Sequence, residues 1–229
     1  QLLDAQGVEL ARGGAPLAQL ARIDMSGLDM RLAECQIEVA CDVDNPLTGE
    51  RGASAIFGPQ KGAMPDMVQS LDAGLKHFAA IIERDLGVAV DAVAGAGAAG
   101  GMGAAMMAFL KGQLRPGCEI IARAVGLEAA VRDADLVITG EGRIDQQTIF
   151  GKTPFGVATV AKQFGKPVIG IAGGLGVNAQ VVHEHGIDAI FSVLSRICTL
   201  QDALAEAEHN VRSSARNIAA VLAMGQRMG

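Results

Sequence analysis

Short apolar segments alternate with helical segments through the second half of this chain. Candidate strands lie at residues 136–139, 168–172 and 189–193, and helices are expected over residues 154–163 and 177–185. Strands this short and apolar should be buried, and when helices join them they are typical of a parallel sheet covered on both faces. The alternation therefore predicts an α/β fold with a Rossmann-like parallel sheet in the C-terminal part.

The first half of the chain lacks this alternation, and the character of the sequence changes near residues 125–132. A chain of 229 residues is long enough for one large domain or two small ones. We therefore expect a two-part architecture, with an α/β segment over residues 1–125 and a Rossmann-like half-domain over residues 126–229.

Two long helices are indicated by the residues at their ends. A helix over residues 65–86 begins with proline, carries apolar residues at intervals of three and four, and is followed by Gly87. Thr199 and Asp202 form a capping pair that predicts a last helix over residues 200–224.

The composition narrows the classes of partner. A formal net charge of −6 disfavours nucleic acid and anionic membranes as partners. No apolar run approaches the about 18–20 residues that a membrane-spanning helix needs. Four cysteines without Cys-x-x-Cys spacing indicate buried free thiols, rather than zinc ligands or disulfides, and so the cytoplasm.

A glycine-rich segment spans residues 95–103 and includes Gly97, Gly100 and Gly101. It satisfies the G-x-G-x-x-G pattern, but the acidic residue that a dinucleotide site needs on a following strand is misplaced at Glu119. Two interpretations remain open. The segment either begins a helix whose amides receive an anion, or it provides small residues for close packing.

The segment Gly151-Lys152-Thr153-Pro154 resembles the end of a phosphate-binding loop, but the glycine that the full pattern requires is replaced by Gln146. Thr153 as N-cap with Pro154 behind it predicts a well-formed helix start, beside which Lys152 could hold a phosphate. The alternative is an ordinary helix cap with a solvated lysine.

Two acids, Glu141 and Asp145, are expected in the loop after the strand at residues 136–139. Ligands bind beyond the carboxyl ends of strands in open α/β sheets, and two carboxylates there suit Mg²⁺. The alternative is a solvated acidic loop.

A second polar segment follows a strand predicted near residues 37–41. Asp42 and Asp44 could accept a proton or orient a substrate, although Asp and Asn also cap turns in this way, and Asn45 precedes a proline. Further on, Gln60 and Lys61 lie between glycine and proline, where the lysine could reach a carboxylate or phosphate or remain a solvated surface residue.

Three blocks of this sequence resemble the bacterial class I glycerate kinases. They are residues 41–62, residues 95–103 and residues 135–154, and they occur in order across nearly the whole chain. The resemblance implies ATP-dependent phosphorylation of D-glycerate to 2-phosphoglycerate by in-line transfer, with ATP and Mg²⁺ as cofactors. Members of that family are longer, so it also implies that this chain is the C-terminal portion of such a protein.

The same resemblance assigns roles to the candidate residues. It places acids in proton transfer and metal binding, polar side chains on the substrate, and glycines and a lysine on the phosphates. The residues are Asp42 and Asp44 as catalytic groups; Asn45, Gln60 and Lys61 on the substrate; Gly97, Gly100, Gly101, Lys152 and Thr153 on the nucleotide phosphates; and Glu141 and Asp145 on the metal.

Three rival functions remain open on the sequence. The first is a kinase that gives 3-phosphoglycerate or acts on another small hydroxy acid. The second is a non-catalytic fragment that binds ligand or forms homo-oligomers, and the third is a dehydrogenase that uses the glycine-rich segment.

Overall fold

The computed structural model describes residues 1–228, and the chain divides into two compact units, Gln1–Gly117 and Cys118–Gly229. Both units mix helices with strands, and the α/β fold class is confirmed. The strands of the first unit form two small sheets, one antiparallel and one parallel. They are β1 (Leu2–Leu3) with β2 (Arg22–Ile23), and β3 (Glu38–Ala40) with β4 (Gln113–Arg115).

The helices of the first unit are α1 (Ala53–Phe57), α2 (Pro65–Leu86) and α3 (Met102–Leu110), with 3₁₀ turns at Ala15–Gln19, Met30–Glu34, Pro59–Lys61 and Ala98–Gly100. Helix α2 has the predicted bounds, because proline fits the first turn and Gly87 ends the helix in the left-handed conformation, with φ of 70°. Its buried stripe contains Leu75, Phe78 and Ile82. Met67 lies at the same spacing of three and four residues and was expected in this stripe, but this was wrong, because it is 56% exposed.

The second unit is built on a parallel three-stranded sheet in the order β5 (Val137–Ile144), β6 (Val168–Leu175) and β7 (Ala189–Ser192). Helix α6 (Thr153–Gln163) connects the first two strands. The predicted alternation of parallel strands and helices is therefore confirmed. The expectation of burial on both faces fails at the two edge strands, where Ile138 of β5 is 51% exposed and Phe191 of β7 is 41% exposed.

The remaining helices are α4 (Gly117–Ala124), α5 (Leu127–Arg132), α7 (Leu200–Ala205) and α8 (Ala207–Met228), with a 3₁₀ helix at Ala179–His185. Thr199 and Asp202 form the predicted capping box. The helix expected after β6 is present as a 3₁₀ helix, whereas the expectation of one continuous last helix was wrong, because it is interrupted at Glu206. Within residues 1–228, no helix is both long enough and apolar enough to cross a membrane.

Candidate active site

Glu141 lies within strand β5, where it pairs with Ala172 of β6, and Asp145 follows the last residue of the strand. The sequence placed both acids in a loop, and for Glu141 this was wrong. The ladder continues because glycines allow the neighbouring strand to approach closely: a Cβ on Gly140 would overlap the carbonyl oxygen of Ile171. The backbone position of Glu141 is therefore fixed by the sheet.

Thr148 joins the two acids. Its hydroxyl donates to Oε1 of Glu141 at 2.5 Å and accepts the N–H of Asp145 at 3.1 Å. The N–H of Thr148 donates in turn to the carbonyl oxygen of Asp145 at 3.0 Å. Thr148 is fully buried, so these contacts are shielded from water.

Two cationic side chains balance the two acids. The Nζ of Lys152 lies 3.9 Å from Oε2 of Glu141 and 3.8 Å from Oδ1 of Asp145. The Nε of Arg143 lies 3.3 Å from Oδ2 of Asp145. Lys152 keeps 38% of its side chain exposed, so it can turn toward an incoming anion without being pulled from a buried position.

Helix α6 begins beside this cluster with Lys152 as the N-cap residue and Thr153 as the first helical residue. The prediction that Thr153 caps the helix was wrong, and the N-cap makes no side-chain hydrogen bond. Pro154 remains compatible with the first turn, because proline lacks the N–H that the helix would leave unpaired there.

The cluster of Glu141 and Asp145 suits a hard cation that also has other ligands. Within residues 1–228, no group of three or more His, Cys, Asp or Glu side chains is arranged to hold a metal ion. Mg²⁺ commonly takes one or two carboxylates and completes its octahedron with water and phosphate oxygens. The two partly exposed carboxylates fit that pattern.

In the first unit, the acids after β3 are held in different ways. Oδ1 of Asp42 accepts the N–H of Gly117 at 2.8 Å. Oδ2 of Asp44 pairs with Arg51 at 2.9 Å, with 76% of the Asp44 side chain exposed. Asp44 is therefore the more available of the two for an incoming hydroxyl group.

Asn45 joins this loop to the glycine-rich segment. Its side-chain amide donates to the carbonyl oxygen of Arg51 at 2.8 Å. The backbone carbonyl oxygen of Asn45 accepts the N–H of Gly95 at 3.2 Å and that of Gly97 at 3.0 Å. A Cβ on Gly97 would overlap the carbonyl oxygen of Pro46. Close backbone packing is thus one role of this glycine.

The amides proposed to bind phosphate already have partners. Gly97 donates to Asn45, Gly100 donates to the carbonyl oxygen of Gly97 at 3.2 Å, and Gly101 donates to that of Ala98 at 3.2 Å. Helix α3 begins only after these residues. Phosphate binding by these amides stays a prediction, and it requires these hydrogen bonds to open or to be shared.

Lys61 and Gln60 lie exposed in the 3₁₀ turn Pro59–Lys61. Within residues 1–228, no carboxylate lies within ion-pairing distance of the Lys61 ammonium. Lys61 lines a cavity of about 160 Å³ together with Gly100 and the buried Ser54. A larger cavity of about 860 Å³ lies around Leu10 and Phe109, and it contains none of the predicted residues.

The structure thus brings Glu141, Asp145 and Lys152 together in the second unit. In the first, it joins the loop of Asp42, Asp44 and Asn45 to the glycine-rich segment through Asn45. Lys61 and Gly100 line the same small cavity. Sequence reasoning missed Thr148, Arg143 and the two acids that hold the first loop: Asp91 accepts the Thr48 hydroxyl at 2.6 Å, and Asp72 accepts the N–H of Gly49 at 3.0 Å. The run Asp145-Gln-Gln-Thr148 carried a usable signal, because an acid and a hydroxyl three residues apart commonly close a turn.

Comparisons with known proteins give one consistent result. A family model described as "Glycerate kinase family" matches residues 1–223. The chain is 57% identical over 227 residues to the glycerate 2-kinase of Escherichia coli K12, covering 99% of this chain and 60% of that protein. It is 51% identical over 228 residues to the glycerate kinase of Bacillus subtilis 168, again covering 60% of the relative.

Among solved structures, the chain is similar to that of a protein assigned as a glycerate kinase 2 from Salmonella typhimurium LT2. The TM-score is 0.85 at 59% identity, and the match covers 99% of this chain and 59% of the other. The chain therefore spans about 60% of the length of the relatives that it matches.

Proposed function

The chain belongs to the glycerate kinase family, and from this premise we propose that it takes part in the ATP-dependent phosphorylation of D-glycerate to 2-phosphoglycerate. The observation that carries the proposal is the identity of 51–57% to named glycerate kinases over nearly every residue of this chain. The 2-phosphoglycerate product is favoured by the name of the relative from Escherichia coli, glycerate 2-kinase. ATP as donor also fits a cytoplasmic location.

We assign phosphate and metal handling to the second unit. Glu141 and Asp145 would hold Mg²⁺, while Lys152 would move from these carboxylates onto a nucleotide phosphate. Its distances of 3.8 and 3.9 Å to the two acids support this, because it makes no short ion pair that would hold it there. When bound, Mg²⁺ would neutralise negative charge on the phosphoryl group that is transferred. Thr153, at the start of helix α6, would add its N–H to the phosphate contacts.

We assign the acceptor to the first unit. Asp44 is exposed and forms a surface ion pair with Arg51. It would accept the proton of the substrate hydroxyl. Asp42 would hold the loop and orient the substrate, since one of its oxygens is engaged by Gly117. Lys61 would bind the glycerate carboxylate as a point charge. Gln60 and Asn45 would also bind the substrate.

The test is product formation by this chain with D-glycerate, Mg²⁺ and ATP, followed by ³¹P NMR. The expected result is a phosphomonoester at the 2-position. A 3-phosphoglycerate signal would keep the kinase but contradict the product assignment.

Calorimetric titration with D-glycerate and with Mg²⁺–ATP separates the remaining outcomes. Binding without product would favour a role in ligand binding without turnover. The absence of both binding and product would contradict the proposed function.

A further inference from the structure

Thr148 is a fully buried threonine in the turn between β5 and α6. Burying a hydroxyl without hydrogen-bond partners costs folding free energy, so the surrounding protein must provide the partners. It does so through the two acidic residues of the candidate metal cluster.

The direction of each hydrogen bond follows from the chemistry of a hydroxyl. A threonine hydroxyl has one hydrogen and two lone pairs. The N–H of Asp145 can only donate, so it occupies a lone pair, and the hydrogen is free to point at the ionised Glu141. The contact to Oε1 of Glu141 is short, at 2.5 Å, as expected for a hydroxyl donating to a carboxylate.

This arrangement selects which oxygen of Glu141 is presented. With Oε1 held by Thr148, the other oxygen, Oε2, is the one that lies toward Lys152. The same hydroxyl fixes the backbone N–H of Asp145, whose Oδ1 also lies toward Lys152. Thr148 therefore orients the Glu141 carboxylate directly and fixes the backbone that carries Asp145, whose Oδ1 also accepts the N–H of Gln147 at 2.9 Å.

We propose that Thr148 is a positioning residue, which holds Glu141 and Asp145 in the orientation that receives the cationic end of a metal–nucleotide complex. The inference rests on the proposed function for the role of these two acids. A residue behind the ligands that fixes their orientation typically contributes about 10- to 100-fold to metal affinity or activity.

The test uses three substitutions. Thr148→Val keeps the shape of the side chain and removes the hydroxyl, whereas Thr148→Ser keeps the hydroxyl. Thr159→Val is the matched control: the Thr159 hydroxyl donates to the carbonyl oxygen of Phe155 within helix α6 and is exposed.

Two measurements are needed. The first is hydrogen exchange of the Asp145 amide by NMR, which requires no activity. We expect Thr148→Val to accelerate this exchange at least about tenfold, with Thr148→Ser and Thr159→Val close to the parent chain. The second is Mg²⁺–ATP affinity by calorimetry, with turnover where it occurs. Thr148→Val should weaken binding about 10- to 100-fold and leave the KM for D-glycerate unchanged.

A double substitution separates positioning from packing. In a Glu141→Gln background, Thr148→Val should weaken Mg²⁺–ATP binding by a smaller factor than in the parent chain, because the part of its effect that passes through Glu141 is already lost. Full additivity would overturn the proposal. An equal loss in Thr148→Ser and Thr148→Val would also overturn it, since the methyl group, and not the hydroxyl, would then matter.

The proposal and the proposed function can fail separately. If the parent chain binds no Mg²⁺–ATP, the proposed function is contradicted, and exchange of the Asp145 amide decides the positioning role. Unchanged exchange in Thr148→Val overturns the inference whatever the activity. Accelerated exchange with parental Mg²⁺–ATP affinity overturns it as well.

Discussion

Asp42 and Asp44 are two residues apart, yet their surroundings suit them to different tasks. Asp42 gives one oxygen to the backbone of Gly117, so its removal disturbs the fold as well as any chemistry. Asp44 makes only a surface ion pair with Arg51. Such exposed pairs contribute about 0–1 kcal/mol to stability. A substitution at Asp44 therefore isolates chemistry from folding.

We predict that Asp44→Asn lowers the rate of phosphoryl transfer about 10²- to 10⁴-fold, because an amide cannot accept the hydroxyl proton. The melting temperature should stay unchanged. The measurement is kcat by a coupled assay, with circular dichroism for folding.

The control for this substitution is Glu208→Gln, which breaks a similarly exposed pair with Arg212. It should leave both rate and stability at parental values. Retained activity in Asp44→Asn would remove the assignment of Asp44 as the base.

Gly97 offers a second test on the scale of one residue. Its φ of −76° is open to any residue, so alanine adds no backbone strain there. The added methyl group would nevertheless overlap the carbonyl oxygen of Pro46. We predict that Gly97→Ala lowers the free energy of unfolding by about 1–3 kcal/mol, as measured by urea titration.

Gly27→Ala is the matched control, because a Cβ there meets nothing within 4 Å. Its free energy of unfolding should change by less than about 0.5 kcal/mol. Equal stability of both variants would show that the two loops can separate without cost.

On the scale of secondary-structure elements, the sequence predicted what local signals determine. Proline and glycine fix the ends of α2, and Thr199 with Asp202 fixes the start of α7, so these ends were predictable. Strand β5 was predicted too short, because Gly140 and Gly142 have low strand propensity. Its continuation depends on pairing with β6, which is a tertiary contact.

The candidate site shows the same division. Its acids and its lysine were predictable from residue type and position. Thr148 was predictable in part, because the run from Asp145 to Thr148 indicates a turn. Its hydrogen bond to Glu141, 7 residues away, and that between Thr48 and Asp91, 43 residues apart, were not predictable, because nothing local in the sequence indicates such partners.

Asp188 links two elements of the second unit. Its carboxylate accepts from Lys162 of α6 and from the N–H of Val168 in β6, each at 2.6 Å. The hydrogen bond from Lys162 is the main reason that the pKa of Asp188 lies below its ordinary value of 3.8; the Val168 N–H also lowers it, while burial acts in the opposite direction. The ionised form therefore stabilises the folded state above pH 3.8, and this stabilisation is lost as pH falls through the lowered pKa.

We predict that Asp188→Asn is less stable than the parent chain at pH 7, and that the difference shrinks below about pH 4. Urea titrations between pH 7 and pH 3 measure it. Glu184→Gln is the control, since this exposed glutamate has no ion-pair partner within residues 1–228. A difference that stayed constant with pH would mean that ionisation of Asp188 plays no part.

On the scale of the whole molecule, each unit has its own hydrophobic cluster. Leu47 is fully buried in the first and Ile144 in the second. We predict that Leu47→Ala and Ile144→Ala each cost about 2–5 kcal/mol, because each leaves a cavity in a packed core. Hydrogen exchange measures this separately in each unit, as faster exchange of the core amides around the substituted residue.

Smaller changes at the same positions act as controls. Leu47→Met and Ile144→Val should each cost less than about 1.5 kcal/mol. Unchanged amide protection in Leu47→Ala would mean that the first cluster does not stabilise its unit.

The two hydrogen bonds to the backbone carbonyl oxygen of Asn45 also have a consequence for how these loops evolve. Surface loops usually gain and lose residues freely between relatives. Here the loop after β3 and the glycine-rich segment share two backbone hydrogen bonds, so an insertion in one would pull it out of register with the other. We expect the lengths of these two loops to be retained together in evolution, because each constrains the other.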